Sequence, residues 1–523
     1  MKYVVTADQM QRADHNTSEK IKIPSIVLME RAAMSAAEEI TKRAFTGKKP
    51  AKVCIVCGTG NNGGDGFALG RMLDERGFSV HFFVAGDRET ASEANRLQRN
   101  ILQSLGFTIS TGQPIEEYDI VVDAIFGIGL HREITGVYEE WIGILNRMKG
   151  FKVALDIPSG ISADSGEILG CAFVADLTVT FAFHKWGQLI YPGKSCCGEV
   201  VCADIGIPLG AFDGKLPACQ LPERADIGDL LPKRIPESHK GTYGKAGIIA
   251  GSREMGGAAV MCSMAALRMG CGYVKVLTHA VNRDIVLSRL PEALLYPYEN
   301  GVADALEQFQ KGLSDVDALA IGPGIGMSLE AEKILEAVLE NSKTSLVLDA
   351  DAINLLSQNQ VLRERLKVYA TAAWKTGHFV VMTPHRKEFS KFAGISMEAS
   401  WAQWHEAALK TAAEYGLILV LKDAVTRVYT PEGHVFINTT GNPGMSVAGS
   451  GDVLTGMLTG LLAQMKDGIM AAVLAVYLHG ACGDLAAQKK NYYTMTAIDI
   501  IEAADDALKE NALKGDAKST CKR

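Results

Sequence analysis

Cysteine is scarce in this 523-residue chain: 11 thiols, an odd number, are too few for a disulfide-stapled scaffold. Basic charge is not in excess either. Lys and Arg total 53 against 60 Asp and Glu, a formal net charge of -7, so no broad positive field is available to hold DNA or RNA. Small anions would have to be met by local devices such as helix N-termini. No stretch approaches the roughly 18 to 20 apolar residues of a membrane span, and neither a membrane nor a nucleic-acid partner is expected. The opening MKYVVTADQM lacks the apolar core of a signal peptide, so a cytoplasmic protein is expected. What is there is globular: 47% hydrophobic, 22% charged, and long enough for about two to four domains. Cys54 and Cys57 form a C-x-x-C, but inside the apolar run KVCIVCG, where buried structural thiols fit better than a redox pair. Cys196 and Cys197 have no matching second pair, which argues against zinc.

The first half reads as repeated β/α units. Thr6 and Gln9 have the spacing of a capping box, and Pro24 to Ala44 reads as a helix. An apolar strand, Val53 to Cys57, runs into the loop GTGNNGGDG, with a helix expected from Phe67. Strand, glycine-rich loop and helix together are the geometry of nucleotide-binding α/β folds, but the loop is neither G-x-G-x-x-G nor a P-loop. Two further buried strands end in acidic residues, YDIVVDA at Asp123 and the strand leading to DIPSG at Asp156. Open parallel sheets bind ligands beyond the carboxyl ends of their strands, so three polar strand ends point to one crevice.

NNGGDG, VDAIFGIGL and LDIPSG, in that order over roughly residues 1 to 215, resemble the hydrate epimerase family. The resemblance implies that Asp156 is the acid/base residue near C6 of a hydrated nicotinamide. It implies a potassium site at Asn62, Asp123 and Ser159. Asn61, Asn62, Gly63, Gly64 and Asp65, with Gly127, Ile128, Gly129, Leu130, His131, Arg132 and Glu133, would hold the substrate's phosphates and ribose. Oxygen ligands of this kind suit an alkali cation.

Five prolines between 208 and 236 interrupt the chain and place a domain boundary near 215 to 230. Beyond it, polar or glycine-rich clusters again follow apolar strands. GPGIG follows Asp317 to Ile321, and DADAIN follows Leu346 to Leu348. TPHRKEF follows Phe379 to Met382, and KDAVT follows Leu417 to Leu421. Asp349 and Asp351 could hold magnesium with nucleotide phosphates, or serve as a helix cap and a hydrogen-bond anchor. The run GNPGMSVAGSGDVLTG, residues 441 to 456, turns sharply and opens an apolar helix with a carboxylate, Asp452, at its start. Unpaired N–H groups of a first turn favour an anion, so a phosphate and a general base would meet there; the plainer reading is Asp452 as an N-cap. The tail from Lys509 is polar and expected to fray.

HKGTYG, GSREMGGA, GPGIG, DADAIN, TPHRKE and GNPGMSVAGSGD, in order over residues 239 to 452, resemble the nicotinamide nucleotide hydrate dehydratases, a branch of the ribokinase-like fold. The resemblance implies that Asp452 is the catalytic base. Lys422, Asp423, Ala424, Val425, Thr426 and Gly451 would contact the adenine nucleotide, and Ala258, Gly324, Gly326, His385 and Asp452 would line the hydrate's site. Relatives commonly carry Gly where this chain has Asp423; a carboxylate near polyphosphate is unfavourable, so Asp423 is expected to point away.

The expectation is two α/β domains: an N-terminal Rossmann-like three-layer α/β sandwich over 1 to 220, and a C-terminal ribokinase-like α/β domain over 225 to 510, followed by a polar tail from 511 to 523. The implied activities are epimerisation of the R and S hydrates of NADH and NADPH (NADHX and NADPHX) and ADP-dependent dehydration of the S form to NAD(P)H, AMP and phosphate. The implied cofactors are potassium for the first half and magnesium with ADP for the second; a homo-oligomer is expected. Two other readings stay open. The GSGD turn alone also fits a ribokinase-like kinase for a vitamin alcohol, and the first half's fold also serves as a ligand- or RNA-binding scaffold.

Overall fold

The computed structural model describes residues 1–44, 51–114 and 116–512. The chain divides into two compact units, Lys2–Cys219 and the remainder from Gln220.

In the first unit the described residues build a seven-stranded sheet. Its order is Ile109–Ser110, Ser79–Val84, Lys52–Cys57, Ile120–Ala124, Phe151–Leu155, Leu177–Phe181, Glu199–Ala203, and every pairing is parallel. The central strands are apolar throughout because both faces are covered. One face carries the helices Ser25–Ala44 and Asn61–Glu75 through Ala33, Ala37, Ile40, Phe67 and Leu69. The other carries Val137–Arg147 through Trp141, Ile142 and Leu145. The result is three layers. The chain leaves the strand Lys52–Cys57 toward one edge and returns to its other side at Ile120–Ala124, which makes the switch-point crevice where such sheets bind ligands. The capping box at Thr6 and Gln9 is present, and Cys54 and Cys57 are buried strand residues whose thiols burial pushes up, Cys54 to about 12.

The expected loop over 58 to 66 is instead mostly helix: Gly60 is the cap and Asn61 begins the helix. The glycines serve packing. A Cβ at Gly66 would lie 2.6 Å from that of Ala124 and 2.8 Å from Cys57 Sγ, so only glycine lets the helix sit this close to the sheet.

In the second unit the parallel strands run Leu294–Tyr298, Tyr273–His279, Lys245–Ile249, Ala318–Ile321, Ser345–Leu348, Val380–Met382, Ile418–Leu421. An antiparallel pair, Arg427–Tyr429 and Val435–Ile437, continues from the last of these. The helices Gly256–Arg268 and Ser450–Leu462 pack on each other so closely that a Cβ at Gly456 would lie 2.1 Å from the Cys262 carbonyl oxygen. Contrary to the expectation from apolar runs, one helix among the described residues, Gly468–Lys489, is long and apolar enough to cross a membrane, with mean hydropathy 1.6. Its most apolar window is 61% buried within the protein, and Ala471, Leu474, Ala475 and Leu478 are wholly inaccessible. A helix that is apolar all round is what a core position requires. Lys509–Ala512 lies in the helix Ala504–Ala512, and the rest of the expected tail falls outside the described residues.

Candidate active sites

The first site forms at the switch point of the first unit. A cavity of 600 Å³ is lined by Asp14, Asn61, Asn62, Asp65, Asp156 and the segment Gly127, Ile128, Gly129 and Leu130, among others. Asp156 follows directly on the strand Phe151–Leu155 and has φ 64, a left-handed conformation that is unusual for a residue with a Cβ. Strain of this kind persists only where the surroundings hold it, and it clusters at functional sites. Here the Asp156 N–H donates to Val179 O at 2.8 Å, and Gln188 Nε2 donates to the Asp156 carbonyl at 2.6 Å. The Asp156 carboxylate accepts from Lys185 Nζ at 2.5 Å, and Lys185 also donates to Thr180 Oγ1 at 2.7 Å and Phe181 O at 3.0 Å. Asp14 and Asp65 face the same charges. Burial first, then the Asp156 carboxylate, raises both of their pKa values, Asp65 the more strongly.

Asp123, Ser159 and Phe126 are knitted together beside this cavity. Asp123 accepts from Ser159 Oγ at 2.7 Å, Ser159 N at 2.8 Å and Ile125 N at 3.1 Å, while Phe126 N donates to Ser159 Oγ at 2.9 Å. Burial nonetheless pushes the Asp123 carboxyl up to about 6. Asn62 is buried with neither amide atom partnered among the described residues, and a Cβ at Gly127 would lie 3.5 Å from its Cγ. The Asn62 amide oxygen, the Asp123 carboxylate and the Ser159 hydroxyl are oxygen donors of the kind that suits an alkali cation. Gly63 packs against the Gly58 carbonyl and Gly64 against Met29, which lines the cavity, while the two glycines themselves are not part of the lining. His131, Arg132 and Glu133 are exposed and lie outside that lining.

The second site gathers at the carboxyl ends of the parallel strands of the second unit. Gly324, at φ 61, lies so near the helix Gly256–Arg268 that a Cβ on it would be 3.0 Å from the Ala258 Cβ. Gly326 N donates to Asp351 Oδ2 at 2.8 Å. His385 caps the helix Arg386–Ala393, its Nδ1 accepting from Lys387 N and Glu388 N, and its backbone bridges to Lys422. Lys422 Nζ donates to Asp349 Oδ1 at 2.7 Å, and Thr455 Oγ1 donates to Asp349 Oδ2 at 2.7 Å. Both acidic residues of DADAIN are therefore committed to hydrogen bonds, which supports the anchor reading over a ready-made metal pair. Asp349 does precede a helix, but its side chain does not cap it.

Asp452 is not the N-cap that the plainer reading made it. Gly449 holds that position at φ 91, and Asp452 is the third residue of the helix Ser450–Leu462. The Ser450 N–H is spent on Val447 O at 3.3 Å, and the intrahelical ladder begins at Val453 N to Gly449 O, 3.0 Å. That leaves Gly451 and Asp452 N–H ahead of the ladder, as a first turn requires. Burial, then the Asp349 carboxylate, pushes Asp452 up to about 6, against the lowering effect of Lys422. A carboxylate titrating there, beside open N–H groups and an ammonium, has the make-up of a general base at an anion site. His479 Nε2 lies 3.0 Å from Ser450 O, and burial pushes this imidazole down to about 4.

Two family models match the chain. One, described as NAD(P)H-hydrate dehydratase, matches residues 246–505; the other, YjeF-related protein N-terminus, matches residues 25–187. The bifunctional NAD(P)H-hydrate repair enzyme of Moorella thermoacetica is 37% identical over 96% of this chain and 95% of its own. That of Thermofilum pendens is 31% identical over 99% and 98%. The chain belongs to this bifunctional repair family. Among solved structures, the ADP/ATP-dependent NAD(P)H-hydrate dehydratase of Bacillus subtilis, co-crystallised with ATP and magnesium, is 30% identical; the match covers 55% of this chain and 97% of that one, at a TM-score of 0.48.

Within this repair family the departure at Asp423 has a local answer. The Asp423 carboxylate turns to Arg427 Nη2 at 3.3 Å, with Arg386 Nε at 4.0 Å, and Oδ1 accepts from Ala424 N at 2.8 Å. Val425 is buried, and Thr426 O accepts from Asn438 N, which anchors the loop over 422 to 426 to the antiparallel pair. Sequence reasoning missed Lys185 and Thr455. Lys185 had a signal: it is the only Asp, Glu, Lys or Arg between Asp176 and Lys194. A single charge in so apolar a segment needs a partner. Thr455 gave no signal, because a threonine in an apolar helix reads as packing.

Proposed function

We propose that the two sites perform successive steps of hydrate repair. The observation that carries this is the recurrence, in two unrelated loop sets, of a carboxylate at a strand end or helix start beside a lysine ammonium: Asp156 with Lys185, and Asp452 near the Lys422–Asp349 pair. In the first site Asp156 takes the proton of the C6 hydroxyl as the N1–C6 bond opens to an aldehyde, and returns it to that oxygen when N1 closes on the other face of the carbonyl, so that the R and S hydrates of NADH and NADPH interconvert. Asn61, Asn62 and the 127–130 segment hold the nucleotide portion beside it. Potassium would be held by Asn62, Asp123 and Ser159, and would supply positive charge beside the substrate's phosphates.

In the second site Asp452 removes the proton of the C6 hydroxyl of the S hydrate. The hydroxyl oxygen bonds to the β-phosphorus of ADP and AMP leaves, with Gly451 and Asp452 N–H and the Lys422 ammonium facing the transferring group. The C6–O bond then breaks with release of phosphate, and loss of a proton from C5 restores the dihydronicotinamide. The sum is hydrate plus ADP giving NAD(P)H, AMP, phosphate and a proton. Magnesium would accompany the nucleotide.

The test is recovery of NADH absorbance from pure S hydrate with ADP, and from pure R hydrate with and without the Asp156→Asn change. S hydrate should be consumed by both proteins, and R hydrate only by the parent. A stable phosphorylated product without regained absorbance would instead make the second unit a kinase.

A further inference from the structure

The geometry points to Asp349 as a positioning residue of the dehydration reaction, one that fixes the Lys422 ammonium under the Gly451 backbone and joins the nucleotide loop to the helix bearing Asp452. This rests on the dehydratase reading above.

Asp349 directly follows the strand Ser345–Leu348 and is 1% exposed. Asp is a favoured cap at a helix start, yet this side chain makes no bond to the helix that follows it. It reaches across to two other elements instead. Oδ1 takes Lys422, which follows the strand Ile418–Leu421, and Oδ2 takes Thr455, one turn beyond Asp452. A Cβ at Gly451 would lie 3.3 Å from Lys422 Nζ and 3.9 Å from Asp349 Oδ2, so the ion pair sits directly against the backbone of the first helical turn. Lysine is a point charge on a flexible four-carbon stem, and ordering it at the moment of reaction costs rotamer entropy. A buried carboxylate that holds it beforehand removes that cost where the phosphoryl charge develops.

Asp349 also faces Asp452 electrostatically, together with Lys422 and Asp351 and, on the packed helix Gly256–Arg268, the Cys262 thiol. Asparagine at 349 separates holding from charge. Its oxygen accepts from Lys422 and its amide donates to Thr455, while the negative charge is lost.

The experiment uses the full chain, with S hydrate and ADP as substrates across pH 5 to 8 and the melting transition of the second unit as the folding control. D349A is expected to lower kcat for dehydration at least about tenfold and to raise KM for ADP. D349N is expected to retain more activity than D349A and to move the acid limb of kcat to lower pH by about half a unit or more. Thr455→Val should fall between parent and D349A. Should D349A not fold, the isosteric D349N and its pH limb decide alone. A D349N limb superimposable on the parent's, or D349A within about threefold of parent in both constants, overturns the proposal while leaving the dehydratase reading intact. A parent that fails to dehydrate S hydrate overturns both.

Discussion

Lys185 Nζ and Asp156 Oδ1 lie 2.5 Å apart in the first unit, with the lysine side chain 1% exposed. A buried pair is costly to break, because the remaining charge is left unpaired. Lys185→Met should therefore destabilise the first unit by about 3 kcal/mol. Epimerisation at neutral pH is expected to fall at least about tenfold. Dehydration of pure S hydrate should be unchanged. The rates of both reactions, beside a melting curve, check this; epimerisation within about threefold of the parent would make Lys185 a structural group only.

The orphaned amide of Asn62 and the buried Asp123–Ser159 pair predict cation-linked stability. Ligands that bind only the folded state raise the melting midpoint with concentration. Potassium chloride should raise the midpoint of the first unit's transition above that in choline chloride at equal ionic strength, and Asn62→Ala should abolish the difference. The measurement is a pair of melting curves per protein. Identical curves for the parent in the two salts would remove the cation from the account.

Asp423 is predicted to be neutral toward ADP because its charge is already answered. Asp423→Gly should leave KM for ADP within about threefold. Arg427→Met should raise that constant at least about tenfold, by freeing the carboxylate to face polyphosphate. The double change should return toward the parent, the pattern of a coupled pair. Additive effects in this cycle would show that Arg427 acts on the nucleotide by itself.

What was legible in the sequence and what was not divide along physical lines. The strands Lys52–Cys57, Ile120–Ala124 and Ser345–Leu348 stood out because buried parallel strands are continuous apolar runs. The strands Tyr273–His279 and Leu294–Tyr298 did not, since Lys275 and Pro297 interrupt them. Lys275 is tolerated because its ammonium reaches Gly312 O at 2.9 Å and pairs with Asp315. The glycines of NNGGDG looked like a loop because glycine is a poor helix former. Contact with Ala124 and Cys57 overrides that propensity, and such contact is tertiary information. The strand-end carboxylates were visible as residues, but their partners were not: Lys185 lies 29 residues beyond Asp156, and Thr455 lies 106 residues beyond Asp349.

The Asp452 carboxyl is pushed up to about 6, chiefly by burial, from an ordinary value of 3.8. A carboxyl raised on folding stabilises the folded state most when protonated. Its contribution is complete below the unfolded value near 4 and is lost as pH rises through about 6. At pH 7 the ionised Asp452 therefore costs the fold on the order of 2 to 3 kcal/mol. Asp452→Asn removes that cost, and it removes no cap, because Gly449 holds that position. The variant should melt at or above the parent's midpoint at pH 7, with the gain fading toward pH 4. Asparagine cannot take the proton, so dehydration should fall at least about a hundredfold while ADP binding persists. In the parent, kcat for dehydration should decline below about pH 6 as the base protonates. Melting curves at pH 4 and 7, beside NADH recovery from S hydrate and ADP, measure both halves of this expectation. A variant that turns over within about threefold of the parent would strip Asp452 of the base role. One that melts well below the parent at pH 7 would show that its charge is better compensated than the neighbouring Lys422 and Asp349 imply.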